Sequence, residues 1–197
     1  LKREGNKKNL QQRLFYFLII ASIPGALFGA LLEKQAETIF RSTYLVLINL
    51  IIVAILFLIV EKIAKKVRTL KQITLKDSLI IGFSQALAII PGISRSGITI
   101  TAGLFSGLKR EAAARFSFLM ATPIILGAGL MNISKIYEQG INKVGWINII
   151  VGFSSAAIVG FLTIKYLLFY LKNHSLNLFA YYRFLITLIV IIYLIIK

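Results

Sequence analysis

"LIIGFSQALAIIPGISRSGITITAGLFSGL", residues 79–108, carries one charge in thirty positions, Arg95. A guanidinium at the centre of a membrane helix costs at least ~2.5–3.5 kcal/mol on insertion scales, so its retention calls for a reason. The stretch also contains its own breaks. Pro91-Gly92 interrupts any helix entering from Leu79, because proline lacks the N–H and glycine is a poor helix former. Ser96-Gly97 can open a second helix, with the serine as its cap. The two halves expected, 79–90 and 97–108, are each about 18 Å long at 1.5 Å per residue. Neither crosses a hydrocarbon core of about 30 Å. The sequence therefore reads as a re-entrant hairpin over 79–108, with the tip "PGISRSG" at mid-membrane. Irregular backbone survives at that depth only where protein buries it or water reaches it.

The rest of the chain supplies the membrane. Of 197 residues, 58% are hydrophobic, and the mean hydropathy is +0.84. The apolar residues fall in blocks at 15–32, 44–60, 116–133, 146–163 and 178–196, each nearly free of charge and about the ~17–25 residues a spanning helix needs. The fold class expected is an all-α polytopic membrane protein, a single domain over 1–197 with five transmembrane helices and one re-entrant pair. The net charge of +16 does not point to nucleic acid, because the cations flank the blocks. Lys2, Arg3, Lys7, Lys8 and Arg13 precede the first. Lys62, Lys65, Lys66, Arg68, Lys71 and Lys76 follow the second, as cytoplasmic loops do. A third basic loop, Lys109, Arg110 and Arg115, follows the hairpin, and a single crossing at 79–108 would put it on the wrong side. The loop 33–41 is charge-balanced and suits the outside; its Glu33 and Glu37 read as a solvated pair. The absence of cysteine excludes disulfides and thiolate metal sites. The first block is followed by four more like it, so it is expected to be a span and not a cleavable signal. The opening run "LKREGNKKNLQQR" reads as a loop between helices, so a preceding segment is expected.

The chemistry of the tip follows from these parts. The start of the second half-helix, near Gly97–Thr99, presents N–H groups at the positive end of a helix dipole. Arg95 adds a planar fork that matches phosphate oxygens. Ser94, Ser96 and Thr99 add hydroxyl donors, and the glycines admit a ligand close to the backbone. The set describes a cradle for a phosphate or similar oxyanion. Two other readings stay open from residues alone: Arg95 as an internal tie for carbonyls freed by the break, or a transport site for another ligand.

The stretch "GFSQALAIIPGISRSGITITAGLFSGLKREAAARFSFLMATPIILGAG" (82–129) resembles the undecaprenyl-diphosphate phosphatases of the bacterial bacitracin-resistance family. The matching positions are Pro91-Gly92-Ile93-Ser94-Arg95-Ser96-Gly97-Ile98-Thr99, then Gly107-Leu108-Lys109-Arg110, Ala113, Phe116-Ser117-Phe118-Leu119 and Pro123. "IIASIPGALFGALL" (19–32) and "FAYYRFLITL" (179–188) resemble further spans of that family. The resemblance implies an inverted-repeat fold of which this chain holds the larger part. It also implies a glutamate-rich stretch and a Ser-Ser-Thr-Gly-His loop in the segment ahead of Leu1, without which this chain alone is expected to be inactive.

The activity implied is dephosphorylation of undecaprenyl diphosphate to undecaprenyl phosphate in the bacterial plasma membrane, recycling a cell-wall carrier lipid. The alternative is a transporter or flippase for an anionic lipid or solute. The resemblance makes Arg95 and Ser94 catalytic and assigns Ser96, Gly97, Thr99 and Gln85 to substrate binding. Gln85 either orients the site or is a packed amide. A divalent cation, Mg or Ca, is implied as cofactor, and no residue here is expected to ligate it. The partners expected are the polyprenyl diphosphate lipid and membrane lipids, with a homodimer left open. Arg110 and Arg115 read first as edge anchors, and His174 as an interfacial residue. Arg183 either snorkels to the edge or reaches inward to a partner.

Overall fold

The computed structural model describes residues 2–37, 42–139 and 145–197. Seven α-helices occur among them: α1 (Lys2–Glu37), α2 (Thr43–Ile63), α3 (Leu75–Ala86), α4 (Arg95–Phe105), α5 (Arg110–Gln139), α6 (Trp146–Asn173) and α7 (Asn177–Ile196). No β-strand is present in the described residues. Five helices are long and apolar enough to cross a membrane, with spans at Leu10–Leu32, Thr43–Ile63, Arg110–Leu130, Trp146–Asn173 and Asn177–Ile196. The side chains of Lys2, Arg3, Lys7, Lys8, Glu33, Glu37 and Arg41 lie outside the described residues.

The two short helices, α3 and α4, pack on each other and form the hairpin. Its first limb starts earlier than the apolar pattern suggests. Thr74 and Asp77 make a capping box, so α3 begins at Leu75 rather than 79, and a 3₁₀ turn at Leu87–Ile89 finishes it. The two ends of the hairpin meet. The N–H groups of Val67 and Arg68 donate to the Gly107 carbonyl at 3.1 and 2.9 Å, and the Lys109 N–H donates to the Arg68 carbonyl at 2.7 Å. A chain that enters and leaves at one level does not cross, and α3, at about 18 Å for twelve residues, is too short to cross a hydrocarbon core of about 30 Å.

The same face gathers the other basic loops. The Glu61 carboxylate at the end of α2 accepts from Arg110 at the start of α5 (Nη2, 2.6 Å), from Lys66 Nζ (3.0 Å) and from the Leu176 N–H between α6 and α7 (2.9 Å). Arg13 of α1 reaches the Ile73 carbonyl on this face at 3.4 Å. One acidic residue thus fixes the ends of α2, α5, α6 and α7 at one level, which sets the crossing order of the spans. Asp77 performs a smaller version of the task, receiving both Arg68 guanidinium nitrogens at 3.0 and 2.6 Å. Burial pulls the Asp77 carboxyl upward, but hydrogen bonds from Arg68 and Thr74 and the adjacent charge hold it below the ordinary aspartate value.

Glu61 is nearly buried, with its side chain 5% exposed. Breaking such a pair from one side leaves charges unmatched and costs about 3 kcal/mol. Glu61→Gln is expected to lower the thermal midpoint in detergent by several degrees. The added Arg110→Met is expected to restore part of it. An unchanged midpoint for Glu61→Gln would show that the junction contributes nothing.

The core lies between the hairpin and the spans around it. Phe116 and Met120 of α5, Leu104 and Leu108 at the end of α4, and Val53 and Val60 of α2 are almost fully buried. Small residues set the close approaches. A Cβ at Gly82 would stand 2.5 Å from the Ala21 carbonyl, and one at Gly103 would stand 2.8 Å from the Ala113 methyl, the tight helix contacts that small residues permit in membranes. The outward faces of the spans remain apolar and exposed, α6 most of all, as a lipid-facing surface requires.

Candidate active site

Proline and glycine end the 3₁₀ turn at the hairpin tip, and Ser94 is extended (φ −61°, ψ 123°) while α4 begins at Arg95. The cap is Ser94, not Ser96, and the helix starts two residues before the expected position. The reason is geometric: the Ser94 hydroxyl oxygen accepts from the Gly97 N–H at 3.1 Å and its carbonyl accepts from the Ile98 N–H at 2.9 Å. Those bonds leave the N–H groups of Arg95 and Ser96 without a partner among the described residues. The free donors of the dipole end are therefore at 95 and 96 rather than at 97–99. Ser94→Ala removes the cap and is expected to cost about 1 kcal/mol in a denaturation series in detergent; Ser94→Asn, which can cap, is expected to recover most of it.

Two side chains hold the tip from below. Asn49 Nδ2 donates to the Pro91 carbonyl at 2.9 Å. Arg183 of α7 donates through Nη2 to the Gly92 carbonyl at 2.5 Å, and through Nε to the Leu50 carbonyl at 3.2 Å. Arg183 also lies 6.0 Å from the Phe57 ring and is buried, 9% exposed. It points inward and does not snorkel. Gly92 itself has φ +88°, and a Cβ there would stand 2.6 Å from the Val46 carbonyl, so the tip sits against α2 in a conformation open to glycine.

The internal-tie role is thereby filled by Arg183 and Asn49. Arg95 is exposed at the first position of α4, and its side chain makes no hydrogen bond or ion pair among the described residues. Beside it, a cavity of about 230 Å³ has Ser94, Ser96, Gly97 and Arg183 as its polar and backbone lining. Phe57, Ile100, Leu167, Leu171, Leu176, Phe179 and Tyr182 make the apolar remainder.

Two expected residues are not brought to this place. The Thr99 hydroxyl bonds the Arg95 carbonyl at 2.8 Å and the Ser117 hydroxyl of α5 at 2.6 Å, fully buried. It locks α4 to α5 and has no route to a ligand at the tip. Gln85 is buried on α3 over Gly25 of α1 and is absent from the cavity wall; its amide atoms have no partner among the described residues. Arg110 and Arg115 are engaged at the basic face, with Glu61 and Glu111 respectively. His174 is exposed, stacked on Tyr170 with ring centroids 4.5 Å apart. Asn49 was not singled out in the sequence, although a lone asparagine inside an apolar span is a visible signal.

The donors at the tip are hydroxyls, N–H groups and two guanidinium groups. Such a set attracts an oxyanion and repels a cation. No group of three or more His, Cys, Asp or Glu able to hold a metal ion occurs among the described residues. The residues present do not fit a metal ion.

Fold and site together define a multi-pass helical membrane protein with a broken helix whose second half starts on unpaired N–H groups among the described residues. Comparison gives the family. The family model described as bacitracin resistance protein BacA matches residues 1–189. The chain is 49% identical to an undecaprenyl-diphosphatase of Moorella thermoacetica over 187 residues, covering 95% of this chain and 70% of that protein. It is 46% identical to an undecaprenyl-diphosphatase of Pelotomaculum thermopropionicum over 192 residues, covering 98% and 70%. The chain belongs to the bacitracin resistance protein BacA family.

Proposed function

We propose that this protein is a lipid diphosphate phosphatase of the bacterial plasma membrane that converts undecaprenyl diphosphate to undecaprenyl phosphate and inorganic phosphate. The observation that carries the reading is Arg95, whose side chain has no partner among the described residues, beside two N–H groups at the start of α4 that likewise have none there. The names of its relatives supply the substrate. The adjoining cavity supports an amphiphile, because its lining joins two hydroxyls and a guanidinium to a larger set of apolar side chains. The diphosphate would lie against Ser94, Ser96 and the start of α4, and the first part of the prenyl chain along Phe57, Ile100 and Phe179.

In phosphoryl transfer, positioning and electrostatics provide most of the catalysis. The Arg95 fork would hold two oxygens of the terminal phosphoryl group, and the N–H groups of Arg95 and Ser96 would take others. The Ser94 oxygen already accepts from the Gly97 N–H, and the Ser94 and Ser96 hydroxyls share one hydrogen bond at 3.4 Å, so the serine that does not donate within the pair would offer its proton to the substrate. The bond from the terminal phosphorus to the bridging oxygen breaks, a water oxygen takes its place, and undecaprenyl phosphate leaves. A divalent cation, Mg or Ca, would serve as counter-ion on the substrate's own phosphates, since nothing at the tip would ligate it.

The test is phosphate release from undecaprenyl diphosphate by the gene product, expressed whole in lipid nanodiscs with Mg present. One inorganic phosphate per undecaprenyl phosphate formed is the expected result. Saturable binding of the lipid with no phosphate released would overturn the reading.

A further inference from the structure

The basic face carries a second cavity, larger than the first, at about 790 Å³. Six cations line it: Lys66, Lys71, Lys109, Arg110, Arg115 and Lys172. Among the described residues, two carboxylates touch them. Glu61 takes Arg110 at 2.6 Å and Lys66 at 3.0 Å. Glu111 takes Arg115 at 3.2 Å and Lys172 at 4.0 Å. Lys71 and Lys109 have no ion pair among the described residues, so four positive charges remain uncompensated in one concavity.

The walls are fixed independently of any ligand. The 66–68 strand of loop is stitched to 107–109 by backbone hydrogen bonds, and Arg68, the remaining cation of that loop, is spent on Asp77 and the carbonyls of Ser106 and Gln72. The start of α5 opens into the same space. The residue before it is Lys109, which has no acceptor with which to cap the first N–H groups. Cations held around a pocket at the membrane's edge repel one another unless an anion joins them, and basic pockets between helices at the cytoplasmic edge suit phosphate-bearing headgroups. Leu70, Ala112 and Leu171 give the pocket an apolar side for the glycerol end of such a lipid.

We infer that this cavity is a binding site for the phosphate headgroup of an anionic phospholipid of the inner leaflet; it shares one lining residue, the buried Leu171, with the cavity at the hairpin tip and none of its polar lining. The whole chain in neutral detergent would be titrated with phosphatidylglycerol and with phosphatidylcholine, and bound lipid counted by native mass spectrometry. Phosphatidylglycerol is expected to bind and phosphatidylcholine not. Lys71→Gln and Lys109→Gln are each expected to weaken binding roughly fivefold, the worth of one basic residue at an anionic surface. Lys62→Gln with Lys65→Gln, equally exposed but outside the cavity, is the control and is expected to change it less than about twofold. Equal losses from both pairs would show a merely positive face and overturn the site. Displacement of the lipid by stoichiometric inorganic pyrophosphate would overturn the lipid as its occupant in favour of a soluble phosphate.

Discussion

Arg95→Ala is expected to lower phosphate release by about a thousandfold or more, the scale on which a single arginine stabilises a transferring phosphoryl group, while the protein stays folded. Both halves of the expectation come from the geometry. The side chain is exposed and engages no protein group among the described residues, so its removal breaks no packing and leaves no acceptor orphaned. The cap that starts α4 belongs to Ser94 and survives the change. Thermal midpoints of wild type and variant in detergent should therefore agree within a degree or two, and turnover should not. Arg95→Lys keeps the charge but loses the two-pronged fork, and it is expected to recover only part of the loss. Retention of more than a tenth of the activity in Arg95→Ala would remove Arg95 from the chemistry. A large fall in the midpoint would return it to the role of structural tie.

How far the sequence reveals this arrangement depends on the length scale of the interaction. The spans are legible because each is a long run whose composition alone decides its fate in lipid. The hairpin is legible because length and charge both forbid a crossing at 79–108. The start of α4 is displaced because capping is a contest among neighbours: two serines flank Arg95, and only the folded backbone shows which oxygen meets the Gly97 N–H. Thr99 is misplaced for a related reason. It shares a motif with Ser94 and Ser96, but three to five residues along a helix turn it toward α5 and Ser117. Arg183 and Asn49 lie beyond local reading altogether. Their partners, Gly92 and Pro91, are 91 and 42 positions away, and the sequence shows only that a polar group inside a span must find something. Glu61 gives a comparable hint, as an isolated acid in a basic run, without disclosing that it joins α2, α5 and the α6–α7 junction.

The residue whose effect divides most sharply between stability and function is Arg183. It is a positioning residue: its guanidinium holds the Gly92 carbonyl and so sets where the following residues, Ser94 to Gly97, begin the helix. Burying it is costly in itself, because no carboxylate among the described residues pairs with it, and only carbonyl oxygens and the face of the Phe57 ring offset the desolvation. Replacement by methionine of similar length removes that cost together with the hydrogen bonds. The two terms oppose each other, and Asn49 still holds Pro91. The expected change in stability is therefore small, within about 2 kcal/mol, since an apolar residue of similar volume often replaces a buried charge without loss. Catalysis has no such compensation. A tip freed at Gly92 can shift by an ångström, and misplacement on that scale costs about a hundredfold in rate. Arg183→Met is thus expected to lower kcat by about that factor with the thermal midpoint nearly intact. Arg183→Lys, whose ammonium can still reach the Gly92 carbonyl, is expected to recover part of kcat. Unchanged turnover in Arg183→Met would show that the tip is held by Asn49 and the glycine turn alone. A fall in affinity with kcat preserved would move Arg183 from positioning the tip to contacting the lipid through the cavity wall it shares with Ser94 and Ser96.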